Sequence, residues 1–392
     1  MKHLAILGST GSIGTATLDV VSRFPDRFCV VALAAGRNLE RLREQLRAFS
    51  PSLVAVAKEE DAAALGREFP GTVALHGEEG RVAAATHPEA TTVVAALVGV
   101  LGLVPTLRAV ELGREVLLAN KETLVAAGDL VMAAAKRHGA TILPIDSEHN
   151  ALHQALRVGP AGTVRRLILT ASGGPFRTRA KEDLERVTVA EALAHPTWNM
   201  GPKITVDSAT MMNKGLEIIE AHHLFGLPEE SIAVILHPES RVHSIVEYVD
   251  GTLIAQLSVN DMRFPILYAL AWPERFPSPY GSLDLVDVGS LRFEAADEGR
   301  FPCLALARAA LRAGGSVPAV LNAANEEAVA AFLDGRLGFT GIAKVVEDAV
   351  ERESAVPQGI ADLDAVLAAD RRARRWAAET VAKYQRPTGG CP

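Results

Sequence analysis

Cysteine is scarce. Only Cys29, Cys303 and Cys391 occur in 392 residues, far apart and without a C-x-x-C pair. Neither a disulfide framework nor a cysteine zinc site is expected. A basic excess is also lacking, since 40 Lys and Arg stand against 47 Asp and Glu, a formal charge of −7. A sequence-independent grip on nucleic acid needs a basic face, so no nucleic-acid partner is expected. Long hydrophobic runs are missing. The longest mostly apolar stretch, 91–105, is interrupted by Gly99 and Gly102 and ends in Pro105. It is too short and broken to span a bilayer, and no membrane partner is expected. After Met-Lys-His the chain enters a short apolar run without the charged, apolar and small-residue regions of a signal peptide. No internal repeat or low-complexity tract is evident. What remains is 48% apolar and 22% charged residues over a length of two or three domains. That composition points to a soluble cytoplasmic enzyme.

From residue 3 to about 146 short apolar runs alternate with helical patterns. The runs are HLAILG (3–8), FCVVALAAG (28–36), LVAVA (53–57), TTVVAALVG (91–99), EVLLAN (115–120) and TILPID (141–146). Continuous apolar runs of this length predict strands buried on both faces of a parallel sheet. NLERLREQLRAF and KETLVAAGDLVMAAAKRHG read as helices between them, the second closed by Gly139. Repeated β-then-α order predicts a Rossmann-type doubly wound domain over 1–146. Residues 147–280 read as a mixed α/β catalytic domain, with strands at 164–172, 203–208 and 232–238. A hairpin over 244–258 is expected to turn at Asp250-Gly251. The Pro, Gly and Ser of 273–300 mark a connector, assigned to 281–300. The segment 301–392 reads as a helical bundle domain, with helices at 302–313, 318–334, 340–353 and 361–383. Arg371, Arg372, Arg374 and Arg375 form the one basic cluster, expected to be a solvated helix end.

HLAILGSTGSIGTATLDVV runs strand, glycine turn, helix, with Gly8, Gly11 and Gly14 spaced G-x-x-G-x-x-G. Glycines here permit a tight turn and let backbone N–H groups approach a pyrophosphate at the helix N-terminus. No Lys follows Gly14, so the mononucleotide P-loop is excluded. The second strand ends Ala35-Gly36-Arg37-Asn38. No carboxylate stands there to select a ribose 2′-OH, and Arg37 can pair with a 2′-phosphate, so NADP is preferred to NAD. Asn38 also reads as a helix cap.

ILPIDSEHN places Asp146 and Glu148 at the carboxyl end of a strand, where extended backbone would point both to one side. Two close carboxylates need a shared proton or a cation; helix capping is the plainer alternative. In DSATMMNKGLEIIEAHHLFG, Ser208 can cap a helix, and Asn213, Lys214 and Glu217 share one face. Glu217 is a candidate third oxygen ligand and Lys214 a candidate phosphate partner, against the alternative of an ordinary helix ion pair. All-oxygen ligands suit Mg²⁺ or Mn²⁺, with Co²⁺ a further candidate, rather than zinc. His149 and His153 have zinc-helix spacing but lack the accompanying Glu. His222 and His223 fit a helix C-terminus. TASGGPFR offers a backbone anion nest at Ser172-Gly173-Gly174. HPTWNMGPK, with His195, Trp198 and Met200 between two prolines, reads either as a lid or as a loop packed on the core.

LGSTGSIG, LLANKE, PIDSEHNA, ASGGPF, HPTWNMG and VDSATMMNKGLE, in this order, closely resemble the 1-deoxy-D-xylulose 5-phosphate reductoisomerase family. The resemblance runs along essentially the whole chain. It implies an NADPH- and divalent-metal-dependent isomerisation and reduction of 1-deoxy-D-xylulose 5-phosphate to 2-C-methyl-D-erythritol 4-phosphate, on the non-mevalonate route to isoprenoid precursors, by a homodimer. By motif match it assigns Asp146, Glu148 and Glu217 to the metal. It assigns Thr10, Gly11, Ser12, Ile13, Gly36, Arg37, Asn38, Asn120, Glu122 and Gly201 to NADPH. Lys121, Ser147, Glu148, Ser172, His195, Ser208, Asn213, Lys214 and Glu217 would face the substrate, a small phosphorylated sugar, under a lid carrying Trp198 and Met200. Another NADP-dependent dehydrogenase of the homoserine or semialdehyde type is an alternative that would not need three carboxylates beside a phosphate set. A dinucleotide-sensing protein would bind NADPH without metal-dependent turnover.

Overall fold

The computed structural model describes residues 1–198, 200–356 and 362–384. Contacts group the chain into two compact units made of interleaved segments. The first comprises Met1–Thr123, Val131–His153 and Asp261–Ser282. The second takes Leu124–Leu130, Gln154–Asn260 and the chain from Leu283 onward.

The first unit is built on seven strands: β1 (Lys2–Leu7), β2 (Phe28–Ala34), β3 (Leu53–Val56), β4 (Val73–His76), β5 (Thr92–Ala95), β6 (Glu115–Leu118) and β7 (Ile142–Pro144). They lie in the order β4-β3-β2-β1-β5-β6-β7, every pair parallel. The order reverses between β1 and β5, so the crevice beyond their carboxyl ends is where an open α/β sheet binds its ligand. Leu4, Ile6, Leu33, Val54, Val94 and Leu117 are buried in one core, joined by Leu18 and Val21 of the Ser12–Arg23 helix. The Arg263–Ala271 helix adds Ile266, Leu267 and Leu270 to that core. Strand β4 escapes the apolar-run criterion because it is half-exposed at the sheet edge. The 91–99 run pairs only over Thr92–Ala95, and beyond it Val98 and Leu101 face solvent around a 3₁₀ turn.

The second unit has β8 (Val164–Ala171), β9 (Ile232–Leu236), β10 (Val242–Tyr248), β11 (Leu253–Leu257) and β12 (Glu294–Ala295), in the order β11-β10-β8-β9-β12. The β10–β11 hairpin turns at Asp250-Gly251 as expected, with Gly251 at φ +85°. The expected strand at 203–208 is instead a helix, Pro202–Thr210. Gly201 caps it, Pro202 supplies the preset φ of a first helical turn, and Lys203 pairs with Asp207 one turn on at 2.8 Å. These local signals and burial of Val206 and Ala209 override the β-branched run Ile204-Thr205-Val206. Helices Pro302–Ala313, Val317–Leu333, Gly341–Ser354 and Leu363–Lys383 follow. The second packs on both of the last two and is buried almost all round.

The arginine cluster lies inside the Leu363–Lys383 helix rather than at its end, and only Arg371 and Arg375 are exposed as expected. Arg374 sits mid-helix and pairs with Glu326, Glu327 and Asp370 at 2.6–3.0 Å, while Arg372 holds the buried Glu353 at 2.7 Å. Cys29 and Cys303 are free thiols, and Cys391 lies outside the described residues. Among the described residues no helix is long and apolar enough to cross a membrane.

Candidate active site

In the first unit the glycine turn closes on itself. Gly8, at φ +89°, has no room for a side chain, because a Cβ would lie 2.3 Å from Ala96 O on the neighbouring strand's exit. Gly14 is equally constrained, since its Cβ would stand 2.3 Å from Gly8 O. The N–H groups of Gly8 and Ser9 donate to Ala34 O, and Gly11 N–H donates to Gly8 O. Gly11 caps the Ser12–Arg23 helix without any side-chain hydrogen bond. The first-turn N–H groups of Ser12 and Ile13 therefore point outward, and with the helix dipole they fit a pyrophosphate. Asn38 caps the next helix, its Oδ1 accepting from Arg41 N–H at 3.1 Å, and Arg37 beside it is exposed. An exposed guanidinium just beyond β2, where Ala35-Gly36-Arg37-Asn38 holds no carboxylate, fits a 2′-phosphate.

Asn120 follows β6 and is buried. Its amide donates to Leu97 O at 2.5 Å, Gly99 O at 3.1 Å and Glu122 Oε2 at 3.1 Å. Gly102 makes room for it, since a Cβ there would lie 2.8 Å from Asn120 Oδ1. The amide thus ties the 97–102 turn to the start of the Lys121–His138 helix.

Asp146 and Glu148 do not lie on extended backbone. Strand β7 ends at Pro144 and a helix begins at Ser147, because Asp146 Oδ1 accepts the Glu148 N–H at 3.2 Å and so caps it. The capping reading and a ligand role are thus compatible. Asp146 Oδ1 also lies 3.0 Å from His149 Nδ1, and Oδ2 lies 2.8 Å from Lys121 Nζ. Burial opposes ionisation of Asp146, but the Lys121 charge and the His149 bond outweigh it and hold its carboxyl well below the usual carboxylate range. Ser147 Oγ donates to Glu148 Oε2 at 2.6 Å. An ionised carboxylate beside a second one is an oxygen donor set that fits a hard divalent cation. Among the described residues no group able to hold a metal joins His149 with His153, and His153 Nδ1 lies 2.8 Å from Tyr268 OH.

In the second unit β8 delivers Ser172 into the Gly173-Gly174 turn, whose φ values are +82° and +64°. Only glycine fits at 174, where a Cβ would lie 2.7 Å from Ser208 O. The Gly174 N–H donates to Ser172 Oγ at 3.1 Å. His195 Nε2 lies 3.0 Å from Ser172 Oγ and 3.1 Å from Ser208 Oγ. Its Nδ1 accepts from the N–H groups of Thr197 at 3.2 Å and Trp198 at 3.0 Å. Two donors on Nδ1 place the proton on Nε2, and burial lowers the imidazole pKa. A neutral imidazole N–H and two hydroxyls thus converge from three separate segments. Trp198, half-buried, lies with its ring 6.3 Å from that of His243, and Met200 is also half-buried.

Ser208 falls in the last turn of the Pro202–Thr210 helix rather than capping the next one. Met211, at φ +64°, links the two helices. The Met212–Phe225 helix then presents Asn213, Lys214 and Glu217. Asn213 Nδ2 donates to Glu217 Oε1 at 2.6 Å, and Lys214 Nζ contacts Glu217 Oε2. Lys214 and Glu217 are both buried, so this is no ordinary solvated helix pair. His222, near the helix end, lies 2.7 Å from Leu227 O, consistent with a C-terminal interaction. Sequence reasoning missed Asp207 and Lys203, whose i,i+4 spacing was masked by reading 203–208 as a strand.

Comparison with known proteins places the chain. A family model described as 1-deoxy-D-xylulose 5-phosphate reductoisomerase matches residues 4–128. Two C-terminal-domain models of the same enzyme match 142–225 and 257–376. The reductoisomerase of Anaeromyxobacter sp. (strain K) is 54% identical over 391 residues, covering 99% of this chain and 100% of the relative. That of Geobacillus kaustophilus is 55% identical over 358 residues, 91% of this chain and 94% of the relative. A crystal structure of DOX-P reductoisomerase in complex with NADPH, fosmidomycin and magnesium superposes with a TM-score of 0.92 at 43% identity, covering 97% of this chain and 98% of that one. The Zymomonas mobilis enzyme in complex with NADPH gives a TM-score of 0.90 at 44% identity, with coverages of 97% and 99%. With relatives more than half identical along essentially its whole length, this chain belongs to the 1-deoxy-D-xylulose 5-phosphate reductoisomerase family.

Proposed function

We propose that Asp146, Glu148 and Glu217 furnish the oxygen ligands of a divalent cation, and that Ser172, Ser208, Asn213 and Lys214 hold the substrate's phosphate. The reaction is the NADPH-dependent isomerisation and reduction of 1-deoxy-D-xylulose 5-phosphate to 2-C-methyl-D-erythritol 4-phosphate, in isoprenoid precursor biosynthesis. When bound, the cation supplies Lewis-acid stabilisation of negative charge developing on the substrate's oxygens, and NADPH supplies the reducing equivalent. The observation that carries the site assignment is that a half-buried carboxylate and a buried one each contact a buried lysine, Asp146 with Lys121 and Glu217 with Lys214. Buried charge of both signs at these places suits a ligand set that takes a cation and an anionic substrate together.

His195, with its proton on Nε2, donates toward the hydroxyls that face the phosphate and orients them. The phosphate is remote from the reacting carbons, so binding energy there is available to place Trp198 and Met200, which exclude water. Lys121, Ser147 and Glu148 face the reacting end. Thr10, Gly11, Ser12 and Ile13 receive the dinucleotide's pyrophosphate, Gly36, Arg37 and Asn38 its 2′-phosphate end, and Asn120, Glu122 and Gly201 the remainder. The domain roles are a dinucleotide-binding region over 1–146, a catalytic region over 147–280, a connector over 281–300 and a helical region over 301–392. The enzyme is read as a cytoplasmic homodimer.

NADPH absorbance followed with 1-deoxy-D-xylulose 5-phosphate and Mn²⁺ or Mg²⁺ should fall, stop on addition of chelator and resume when Mn²⁺ is restored. Turnover insensitive to chelator would overturn the metal assignment. Arg37→Ala should lower the preference for NADPH over NADH by about tenfold or more, the loss expected for one charge-assisted hydrogen bond to phosphate. The ratio of kcat/KM values for the two cofactors measures this. An unchanged ratio would move the 2′-phosphate contact elsewhere.

A further inference from the structure

The Pro202–Thr210 helix carries a buried charge to which none of the roles above gives a use. Asp207 is 1% exposed. Its Oδ2 accepts from Lys203 Nζ at 2.8 Å, one turn back along the same helix. Its Oδ1 accepts from Asn325 Nδ2 at 2.8 Å, across to the Val317–Leu333 helix where Asn325 is fully buried. The Asn325 Oδ1 has no hydrogen-bond partner. Burial and the nearby Asp207 charge push the Cys303 thiol up to about 12, so the carboxylate acts on groups from a third helix as well.

This is a costly way to pack helices. Desolvating a buried ion pair usually offsets its attraction, and apolar residues of similar volume often serve stability as well or better. An amide oxygen left without a partner adds to the cost. Directionality is what the arrangement gains. The Lys203 contact turns with the helix and fixes only the carboxylate's own rotamer, while the Asn325 contact reaches another helix, so together they favour one rotational setting where apolar packing tolerates several. Two features depend on that setting. Ser208 is the next residue, and its Oγ lies 3.1 Å from His195 Nε2. Gly201, the cap of the same helix, is where the 195–201 loop enters it. A side-chain atom about 4 Å from a helix axis moves by more than ~1 Å for a rotation of ~20°, enough to lose a hydrogen bond.

We infer that Asp207, held by Lys203 and Asn325, is a positioning residue that sets the rotation of the Pro202–Thr210 helix and thereby aims Ser208 at the substrate's phosphate. The inference rests on the reading of Ser208 as a phosphate donor. It acts through Ser208 and touches no substrate atom.

The test compares Asp207→Asn, Asn325→Leu, their double variant and Ser208→Ala in the full-length enzyme with NADPH and Mn²⁺, each assayed well below its own Tm. Asn325→Leu keeps the branched shape and leaves the Lys203–Asp207 pair in place, so it serves even if Asp207→Asn fails to fold. Each single variant should raise the substrate KM about tenfold, with kcat changed less than about threefold and NADPH affinity unchanged. The double variant should be no worse than the worse single, as expected for residues acting through one contact. A purely structural role would lower Tm and the active fraction without raising KM. If Ser208→Ala raises KM but neither positioning variant does, or if their effects multiply, the positioning role is overturned. If Ser208→Ala leaves KM unchanged, the phosphate reading itself falls, and this inference with it.

Discussion

Glu217→Gln is expected to lower kcat/KM by about a thousandfold at limiting Mn²⁺ while leaving NADPH affinity within about twofold. Several kcal/mol of transition-state stabilisation is the usual contribution of a bound divalent ion, and about 4 kcal/mol corresponds to that factor. The substitution keeps the shape of the side chain and removes its charge. Glu217 is fully buried, its Oε1 accepts from Asn213 and its Oε2 contacts Lys214. A neutral amide cannot replace a hard anionic ligand. It also presents an N–H to one of two donors, so the Asn213–Lys214 face must rearrange. Raising Mn²⁺ should recover part of the activity, because the two remaining carboxylates are unaltered. Metal affinity measured by titration calorimetry and turnover measured over a Mn²⁺ series separate the two effects. Near-normal turnover at limiting metal would remove Glu217 from the ligand set and leave it as the partner of Lys214 alone.

Much of the fold is legible because of how the first sheet is covered. Six of its seven strands are continuous apolar runs, as strands with both faces buried must be. The seventh, Val73–His76, pairs only with β3 and is half-exposed, so its composition carries no such mark. The helix at Pro202–Thr210 shows the opposite failure. Ile204-Thr205-Val206 favours a strand by propensity, yet Gly201, Pro202 and the Lys203–Asp207 spacing make a helix start. The local capping signals carried more information than the β-branched run. Candidate site residues are legible one at a time, from glycine spacing, paired carboxylates and donor types. Their partners are not. His195 meets Ser172 across 23 residues and Asp207 meets Asn325 across 118. Arg374 likewise reads as a surface charge until the fold brings Glu326 and Glu327 to it across 47–48 residues. Contacts at such separations depend on how elements pack, for which a single sequence holds no local sign.

Gly14→Ala is expected to weaken NADPH binding by at least about a hundredfold, close to 2.7 kcal/mol. The added methyl is small, and alanine is by propensity the better helix residue by about 0.5–1 kcal/mol. The effect is therefore steric and local. A Cβ at Gly14 would lie 2.3 Å from Gly8 O and 2.5 Å from Ser9 Cα, both backbone atoms that cannot swing aside. Relief requires the Ser12–Arg23 helix to move off the β1 turn, carrying the first-turn N–H groups away from the pyrophosphate. Gly11→Ala should be milder, since its Cβ would meet Gly8 O at 3.3 Å, a distance that a few tenths of an ångström of adjustment can absorb. Gly66→Ala, where the nearest contact is an ordinary 3.7 Å to Ala74 Cβ, should bind NADPH normally and raise Tm slightly. NADPH titration by fluorescence, with Tm measured in parallel, orders the three. The ranking Gly14 worse than Gly11 worse than Gly66 follows from the close approach of strand, turn and helix. Normal NADPH affinity in Gly14→Ala would mean that the pyrophosphate does not sit on this helix.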